Sequence, residues 1–351
     1  MYCKWVSKGD RNLKCSRHAN SSGYCIFHKK DKTKREIALF DAYIKKGKIS
    51  DFTGFYFEDK FDINKVVNFE YEKLKFCEAI FKYEASFNGF IFENSVDFTD
   101  THFESYVDFK ESVFLGNCIF NKTIFESKYI NEQIFQKTNF NGQKLIIEKC
   151  VKFPRLDGVV FSPYTKFIFK NTYYNEENSL CGRNNYRIAR IQAKKIEDND
   201  NIGYYYYNER NYASNLLKTK KYNGYNNYLV NDFFDFLSKH FIGYGEKPIK
   251  LLLISFSIIS LFAFIYLFTG IKSLDYGLIK INLLNNTYLP YELASFYIES
   301  WYFSMMTFST VGYGEVIAFG FLSKILVCIE VFLGITTHAT WTSVLLSRMI
   351  K

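Results

Sequence analysis

Phenylalanines recur at intervals of five and six residues along the first half of the chain. The run extends from Phe76 to Phe125, and Ile130, Phe135 and Phe140 continue it at intervals of five. Its members are Phe76, Phe81, Phe87, Phe92, Phe98, Phe103, Phe109, Phe114, Phe120 and Phe125. An α-helix repeats about every 3.6 residues and a strand about every 2, so neither has this period. The spacing therefore predicts a fold built from short repeated units.

A small side chain stands two positions before most of these phenylalanines. These residues are Ala79, Ala85, Val96, Thr101, Val107, Ser112, Cys118 and Thr123. The pattern, as in residues 96–98 (Val-Asp-Phe), resembles the phenylalanine-rich form of pentapeptide-repeat proteins. This resemblance implies a right-handed quadrilateral β-helix over residues 52–170, with about five coils and with the phenylalanine and the small residue both facing inward. Stacking of coils would supply the continuous core that one coil lacks.

The register of the repeat is left open at three positions. Phe90, Lys128 and Gln133 stand where the pattern requires a small residue. An amphipathic β-sandwich is the alternative fold, but its strands would show a period of about two. Residues 51–150 hold 17 acidic and 11 basic side chains, a balance that does not favour imitation of DNA or a nucleic-acid partner. An unidentified cytoplasmic protein or ligand is therefore the partner expected for the column.

Residues 310–314 carry the second signal. They are Thr310, Val311, Gly312, Tyr313 and Gly314, the loop sequence of potassium-channel selectivity filters. In such a filter the backbone carbonyls of the first four residues and the threonine hydroxyl replace the water shell of a K⁺ ion. Glycine suits this loop because it adopts left-handed dihedrals at little cost. The motif predicts K⁺ ions bound in a filter and no enzymatic chemistry.

Two long apolar segments flank this loop. Residues 251–270 contain no charged side chain and residues 319–348 contain few, and both are long enough for a transmembrane helix. Residues 295–308 are aromatic and apolar but too short to span, which predicts a pore helix that crosses half the membrane. Together, residues 249–351 resemble the pore module of two-transmembrane potassium channels.

The fold class expected is a multidomain membrane protein. It would combine a cytoplasmic β-helix, an α-helical linker and a two-transmembrane, tetrameric potassium-channel pore. Four copies are required because each chain contributes one quarter of the filter. The predicted function is passive, potassium-selective conduction by a homotetramer whose β-helix regulates the gate or docks a partner. Two alternatives stay open, namely a membrane-anchored scaffold with a non-conducting pore and a weakly selective cation channel.

The resemblance also assigns roles around the filter. The residues expected to support it are Tyr302, Phe303, Thr307, Ser309 and Glu315. Tyr302 and Phe303 occupy the aromatic-pair positions of the pore helix. Glu315 stands where aspartate is usual, and Met306 stands where some members keep a buried glutamate. These two departures concern the stability of the conducting filter, and hence inactivation, more than the choice of ion.

Three residues of the second apolar segment are gating candidates. Gly334 falls where the family commonly has its gating hinge, but it fits a close-packing site equally well. Glu330 either draws cations into the cavity or pairs with a neighbouring subunit. His338 either titrates and gates by pH or, the interpretation we favour, packs against a neighbouring helix with a carbonyl as its partner.

Flanking charges predict the orientation in the membrane. Lys247 and Lys250 precede the first apolar segment, and Arg348 and Lys351 end the second, so both termini are expected in the cytoplasm. The chain opens without the apolar core of a secretory signal. The expected location is the plasma (inner) membrane, with multiple passes. The formal net charge of +9 favours contact with anionic membrane lipid.

Residues 1–34 carry a third signal. Cys3, Cys15, Cys25 and His28 include a Tyr-Cys-x-x-His ending that resembles small bacterial zinc-binding modules. Three thiolates and one imidazole would complete a closed, structural Zn²⁺ site. His18 is an alternative ligand, and free thiols in a flexible tail are the alternative interpretation. Disulfides are not expected in a cytosolic segment.

The remaining segments connect these parts. Residues 35–51 are predicted to be a linker, and residues 180–248 a helical coupling linker that ends in an interfacial helix and a glycine-rich hinge. The five other cysteines are predicted to be buried thiols. They are Cys77, Cys118, Cys150, Cys181 and Cys328. The sequence carries no nucleotide fingerprint, calcium loop or arginine-rich voltage-sensing helix, so it does not name the gating stimulus.

Overall fold

The chain divides into two compact units. A computed structural model describes residues 1–46, 49–66, 73–221, 228–281 and 289–349. The first unit is Met1–Asp232 and the second is Phe233–Lys351.

The first unit contains a solenoid of short parallel strands. In chain order the strands are β1 (Tyr56–Phe57), β2 (Phe61–Asp62), β3 (Lys73–Lys75), β4 (Ile80–Phe81), β5 (Ala85–Ser86), β6 (Ile91–Phe92), β7 (Ser95–Asp97), β8 (His102–Phe103), β9 (Val107–Asp108), β10 (Val113–Phe114), β11 (Cys118–Asn121), β12 (Ile124–Phe125), β13 (Asn139–Phe140), β14 (Lys144–Glu148), β15 (Val160–Phe161) and β16 (Lys166–Lys170). They form four sheets, β1-β4-β8-β12, β2-β5-β9, β3-β7-β11-β14-β16 and β6-β10-β13-β15. Four parallel sheets that each gain one strand per turn confirm the predicted quadrilateral β-helix of about five coils.

The phenylalanine spacing sets the length of one coil. Ile80 pairs with His102 and His102 with Ile124, so a coil takes 22 residues, the length of two five-residue and two six-residue intervals. Each phenylalanine consequently lies on the one a coil below. The rings of Phe76 and Phe98 are 5.2 Å apart and within 4° of parallel. This separation is close to the ~4.8 Å between neighbouring strands, so ring stacking and strand pairing share one repeat.

The small residues point into the column, as predicted. All eight of those named above are at most 1% exposed. Where the residue carries a hydroxyl, the hydroxyl donates to a phenylalanine carbonyl of the coil below. Thr101 reaches the Phe76 oxygen at 2.7 Å and Thr123 reaches the Phe98 oxygen at 2.8 Å. These bonds satisfy buried hydroxyls that would otherwise destabilise the core, and the sequence pattern did not reveal them.

The departures of Lys128 and Gln133 from the repeat pattern have a local cause. Val113 pairs with Asn139, so the coil is 26 residues long there. The extra residues form a surface turn that includes the 3₁₀ segment Ser127–Tyr129. Lys128 and Gln133 are exposed in this turn, while Thr138 takes the inward position.

Helix α1 (Lys34–Lys46) covers the first coil. Its buried Phe40 contacts the rings of Phe55 and Phe57 at 6.2 and 5.5 Å. The segment predicted as a linker at residues 35–51 is thus largely a helix packed on the solenoid. Its two core-facing residues, Phe40 and Ile44, give too little periodicity to predict this from sequence.

A helical hairpin covers the last coil. It consists of α2 (Ser179–Lys195) and α3 (Asn199–Lys221). The Tyr205 hydroxyl accepts from the Phe169 amide at 3.2 Å and donates to the Phe167 carbonyl at 3.1 Å. The Tyr212 hydroxyl accepts from the Tyr174 amide at 3.1 Å. Up to Lys221, the predicted coupling linker therefore pairs the otherwise open backbone of the last coil.

The second unit is mostly helical. Its elements are α4 (Tyr228–Leu237), a π-helical turn (Ser238–Ile242), a 3₁₀ turn (Gly243–Gly245), α5 (Pro248–Thr269), β17 (Ile271–Ser273), β18 (Gly277–Ile279), α6 (Pro290–Phe308), β19 (Val316–Ala318) and α7 (Phe321–Met349). Among the described helices, α5 and residues Phe321–Leu346 of α7 are long and apolar enough to cross a membrane. Strands β18, β17 and β19 form an antiparallel sheet. Lys351, used above to predict orientation, lies outside the described residues.

Candidate functional site

Cys3, Cys15, Cys25 and His28 come together next to the first coil. Their ligand atoms all lie within 4.8 Å of one another. The Cys15 and Cys25 sulfurs are 3.8 Å apart, and His28 Nδ1 lies 3.5 Å from the Cys3 sulfur and 3.3 Å from the Cys25 sulfur. A tetrahedral zinc ion with bonds of about 2.3 Å to sulfur and 2.0–2.1 Å to nitrogen requires edges of roughly 3.8 and 3.5 Å. The donor set and its spacing therefore fit Zn²⁺.

Neighbouring groups orient these ligand atoms and keep the imidazole in a form that can bind a metal. His28 Nε2 lies 3.2 Å from the Thr53 carbonyl, an arrangement that leaves Nδ1 free to bind. Burial lowers the pKa of His28 to about 4, so the imidazole is neutral near pH 7. The amide of Cys25 donates to the Cys3 sulfur at 3.2 Å. His18, the alternative ligand, is instead exposed and stacks on Tyr2.

The cluster is also attached to the solenoid. Trp5 stacks on the His28 ring at 4.5 Å. The same indole lies against the Gly54 backbone, where a Cβ atom would be only 2.3 Å from it. Phe27 stacks on Phe55 of the first coil at 4.6 Å. An ion bound here would hold the chain against that coil. Of the five other cysteines, Cys118, Cys150 and Cys181 are buried as predicted, Cys77 is half-buried, and Cys328 is exposed in the single chain.

In the second unit, α6 leads directly into the predicted filter. The helix begins at Pro290, five residues earlier than predicted, because proline suits a first turn and Glu292 accepts from the Leu289 amide at 2.9 Å. After α6 ends at Phe308, the amides of Thr310 and Val311 donate back to the carbonyls of Thr307 and Met306 at 3.1 and 3.0 Å. The start of the loop is thus held to the end of the helix.

The loop backbone alternates in handedness. Thr310, Gly312 and Gly314 have φ of 59°, 56° and 86°, whereas Val311 and Tyr313 lie outside the positive region. In a regular strand successive carbonyls point in opposite directions. Alternating handedness can turn them to one side, as a cation site requires. Positive φ at threonine, a β-branched residue, is uncommon and indicates a functional constraint.

Side chains of α6 brace the loop. The Tyr302 hydroxyl donates to Glu315 at 3.0 Å, so α6 is tied to the residue after the loop. Phe303 is buried and packs edge-on against Tyr266 of α5 at 4.9 Å. Thr307 is also buried, and the Ser309 hydroxyl donates to the Met306 carbonyl at 3.3 Å. The sheet adds an anchor that the sequence did not predict, because β19 follows the loop and pairs with β17 after α5.

Two family models match the chain. Residues 78–127 match pentapeptide repeats (9 copies), and residues 281–351 match the family described as ion channel. The chain joins a pentapeptide-repeat domain to an ion-channel domain of the two-transmembrane potassium-channel type. No curated protein and no solved structure matches it. The resemblances stated from the sequence are thereby confirmed for both parts.

Gly334 of the ion-channel domain is a close-packing position. A Cβ atom there would lie 2.0 Å from the carbonyl oxygen of Phe308, the last residue of α6. The absence of a side chain lets α7 approach the end of α6 next to the loop. This observation supports the packing interpretation of Gly334.

We expect Gly334→Ala to lower channel stability as well as conduction. The helices must separate to admit the methyl group, which costs about 1–3 kcal/mol for overpacking. The measurement is thermal unfolding of the purified protein beside ion flux, with Thr336→Ala on an exposed position of α7 as control. A variant with unchanged stability but altered open probability would support the hinge interpretation instead.

The other two gating candidates lie in different surroundings. His338 is exposed in the single chain, and its ring lies 5.9 Å from that of Phe308. It lines a cavity of the ion-channel domain together with Trp341. Glu330 is fully buried and bonded to residues of its own chain. Within this chain both oxygens of its carboxyl group are engaged by hydroxyl groups, one from Tyr266 of α5 and one from Ser304 of α6.

Proposed function

We propose that this protein is a homotetrameric, potassium-selective channel. The observation that carries the proposal is the Thr-Val-Gly-Tyr-Gly loop directly after the C-terminal end of α6, with positive φ at alternate residues and a spanning helix on each side. The carbonyls of Thr310 to Tyr313 and the Thr310 hydroxyl would replace the water shell of K⁺. The C-terminal end of α6 adds partial negative charge beside the path. Transport of this kind requires no enzymatic step.

Exposure of the loop supports assembly. Val311 is 51% and Tyr313 70% exposed in a single chain. Non-helical backbone at membrane depth is tolerated only where protein buries it or water lines it. Three further copies would cover one side of the loop and leave a water-filled axis on the other. We place the protein in the plasma (inner) membrane, among its lipids, with both termini in the cytoplasm.

The pentapeptide-repeat domain would then be a cytoplasmic attachment of the pore. We propose that it regulates the gate or docks a partner. Helix α3 ends at Lys221, so a deletion that removes the domain whole must extend to that residue and include the tyrosine-lined cap. A cut before α2 would expose the buried face of the hairpin.

Flux into liposomes tests conduction. With purified full-length protein we expect potassium-driven flux that sodium does not support and that barium blocks. Equal sodium and potassium flux would favour the weakly selective channel. Absence of flux in both the full chain and a chain lacking residues 1–221 would favour the non-conducting scaffold, whereas flux only in the shortened chain would indicate a gate held closed by the domain.

We further propose that Cys3, Cys15, Cys25 and His28 hold a structural zinc ion. Such an ion would fix the N-terminal segment against the first coil, since His28 contacts Thr53 and stacks on Trp5. With four protein ligands the site has no open position for catalysis.

Purified protein is expected to contain about one zinc ion per chain, and Cys25→Ser to contain almost none. Elemental analysis measures the zinc content, and thermal unfolding measures the stability of each variant. Cys77→Ser, a half-buried thiol outside the cluster, is the control and should keep the metal. Equal metal content in the two variants, or none in the wild type, would contradict the proposal.

A further inference from the structure

A buried carboxyl group joins the three main helices of the ion-channel domain. Glu330 of α7 is 0% exposed. One of its oxygens accepts from the Tyr266 hydroxyl of α5 at 2.7 Å, and the other accepts from the Ser304 hydroxyl of α6. The Ser304 oxygen also lies 2.9 Å from the carbonyl of Ile259 on α5. The inner, outer and pore helices therefore meet at this one side chain.

Burial of the Glu330 carboxyl group has to be compensated by interactions with its neighbours. An isolated carboxyl group in an apolar interior is strongly unfavourable unless hydrogen bonds satisfy it. At membrane depth an ionisable residue is rare, and by default it is a candidate functional group. Glu330 receives one hydroxyl from each of two different helices. Its bonds thus specify the relative position of the helices, which apolar packing alone would define less strictly.

The partners of Glu330 lead directly to the loop. Ser304 is on α6, six residues before Thr310. Tyr266 is fully buried and packs edge-on against Phe303, one of the residues expected to brace the filter. A shift of α7 at Glu330 would therefore act on two adjacent positions of the pore helix. On the same inner helix, Gly334 lies one turn further along and touches Phe308 at the end of α6.

We propose that Glu330 is a positioning residue for the selectivity filter. It fastens α6 to α5 and α7, so that the loop after α6 keeps the geometry that selects potassium. The inference rests on the proposed function. It differs from both roles considered from the sequence, because Glu330 would act through its hydrogen bonds to Tyr266 and Ser304 of its own chain.

Glu330→Gln in the full-length protein tests the proposal. Glutamine keeps the size of the side chain, but its NH₂ group cannot accept a hydroxyl proton, so one of the two bonds is lost. The pore helix is then held by one bond in place of two, so we expect the potassium-to-sodium permeability ratio to fall severalfold. Reversal potentials in planar bilayers measure this ratio, and size-exclusion chromatography checks assembly.

Two milder variants and a control complete the experiment. Tyr266→Phe and Ser304→Ala each remove one hydroxyl, and both should lower the ratio, whereas Tyr291→Phe on an exposed position of α6 should not. Tyr266→Phe combined with Glu330→Gln should lose less than the product of the single effects, because the residues share one bond. If Glu330→Gln fails to assemble, the two hydroxyl variants decide.

The outcomes separate the two proposals. Absence of potassium-selective current from both the wild-type protein and the chain lacking residues 1–221 would overturn the proposed function, and the role of Glu330 with it. Selective wild-type current together with wild-type ratios in Glu330→Gln, Tyr266→Phe and Ser304→Ala would leave the channel standing and overturn the positioning role. A lower melting temperature with an unchanged permeability ratio would also overturn the positioning role, since Glu330 would then stabilise only the fold.

Discussion

Gly312→Ala should abolish potassium-selective flux. Gly312 has φ of +56°, and an L-residue with a Cβ atom loses roughly 1–2 kcal/mol in this left-handed region. None of the described residues of the same chain lies within 4 Å of the added atom, so within the chain the effect arises from the backbone. In a tetramer this unfavourable backbone free energy applies to each of the four loops around one axis. Loop geometries with misdirected carbonyls would then replace the selective one.

Liposome flux of K⁺ and Na⁺ measures this loss, and the chain supplies a matched control. Gly277 also has positive φ, +69°, and no atom of the described residues lies within 4 Å of an added Cβ there, but Gly277 is the first residue of β18, away from the loop. Gly277→Ala should therefore strain the backbone to a similar extent and keep selective flux. Selective flux retained in Gly312→Ala would contradict the assignment of residues 310–314 as the filter.

Phe109→Ala should destabilise the pentapeptide-repeat domain by about 3–5 kcal/mol, the typical cost of deleting a buried phenyl ring. The Phe109 ring is 0% exposed and is stacked between Phe87 at 4.7 Å and Phe135 at 5.0 Å. The truncation leaves a cavity in the middle of the column. Neighbouring coils cannot close it, because their strand pairing fixes the spacing between the rings.

Urea unfolding of residues 1–232, followed by circular dichroism, gives this free energy. Phe90→Ala removes the same ring from a partly exposed position, where it packs edge-on against Phe92, and should cost clearly less. Equal losses for the two variants would show that the domain does not depend on its central stack.

The sequence predicts those parts of the molecule whose contacts repeat or are local. One coil determines the next, so the phenylalanine spacing is enough to predict a four-sided column. The caps follow no such rule. In the sequence, Tyr205 and Tyr212 resemble ordinary polar helix positions. Only the structure shows that their hydroxyls bond to the backbone of the last coil. In the same way, no local pattern relates Glu330 to Tyr266, since 64 residues separate them.

Closure of the column at both ends has a consequence for its length. A stack of coils with open ends could add further coils from another chain, as fibrils add strands. Here α1 and the cysteine-rich segment cover the first coil, and the α2–α3 hairpin covers the last. Five coils at about 4.8 Å give a rod of about 24 Å. The sequence thus determines the length of the solenoid through its number of coils. The covered ends prevent end-to-end polymerisation.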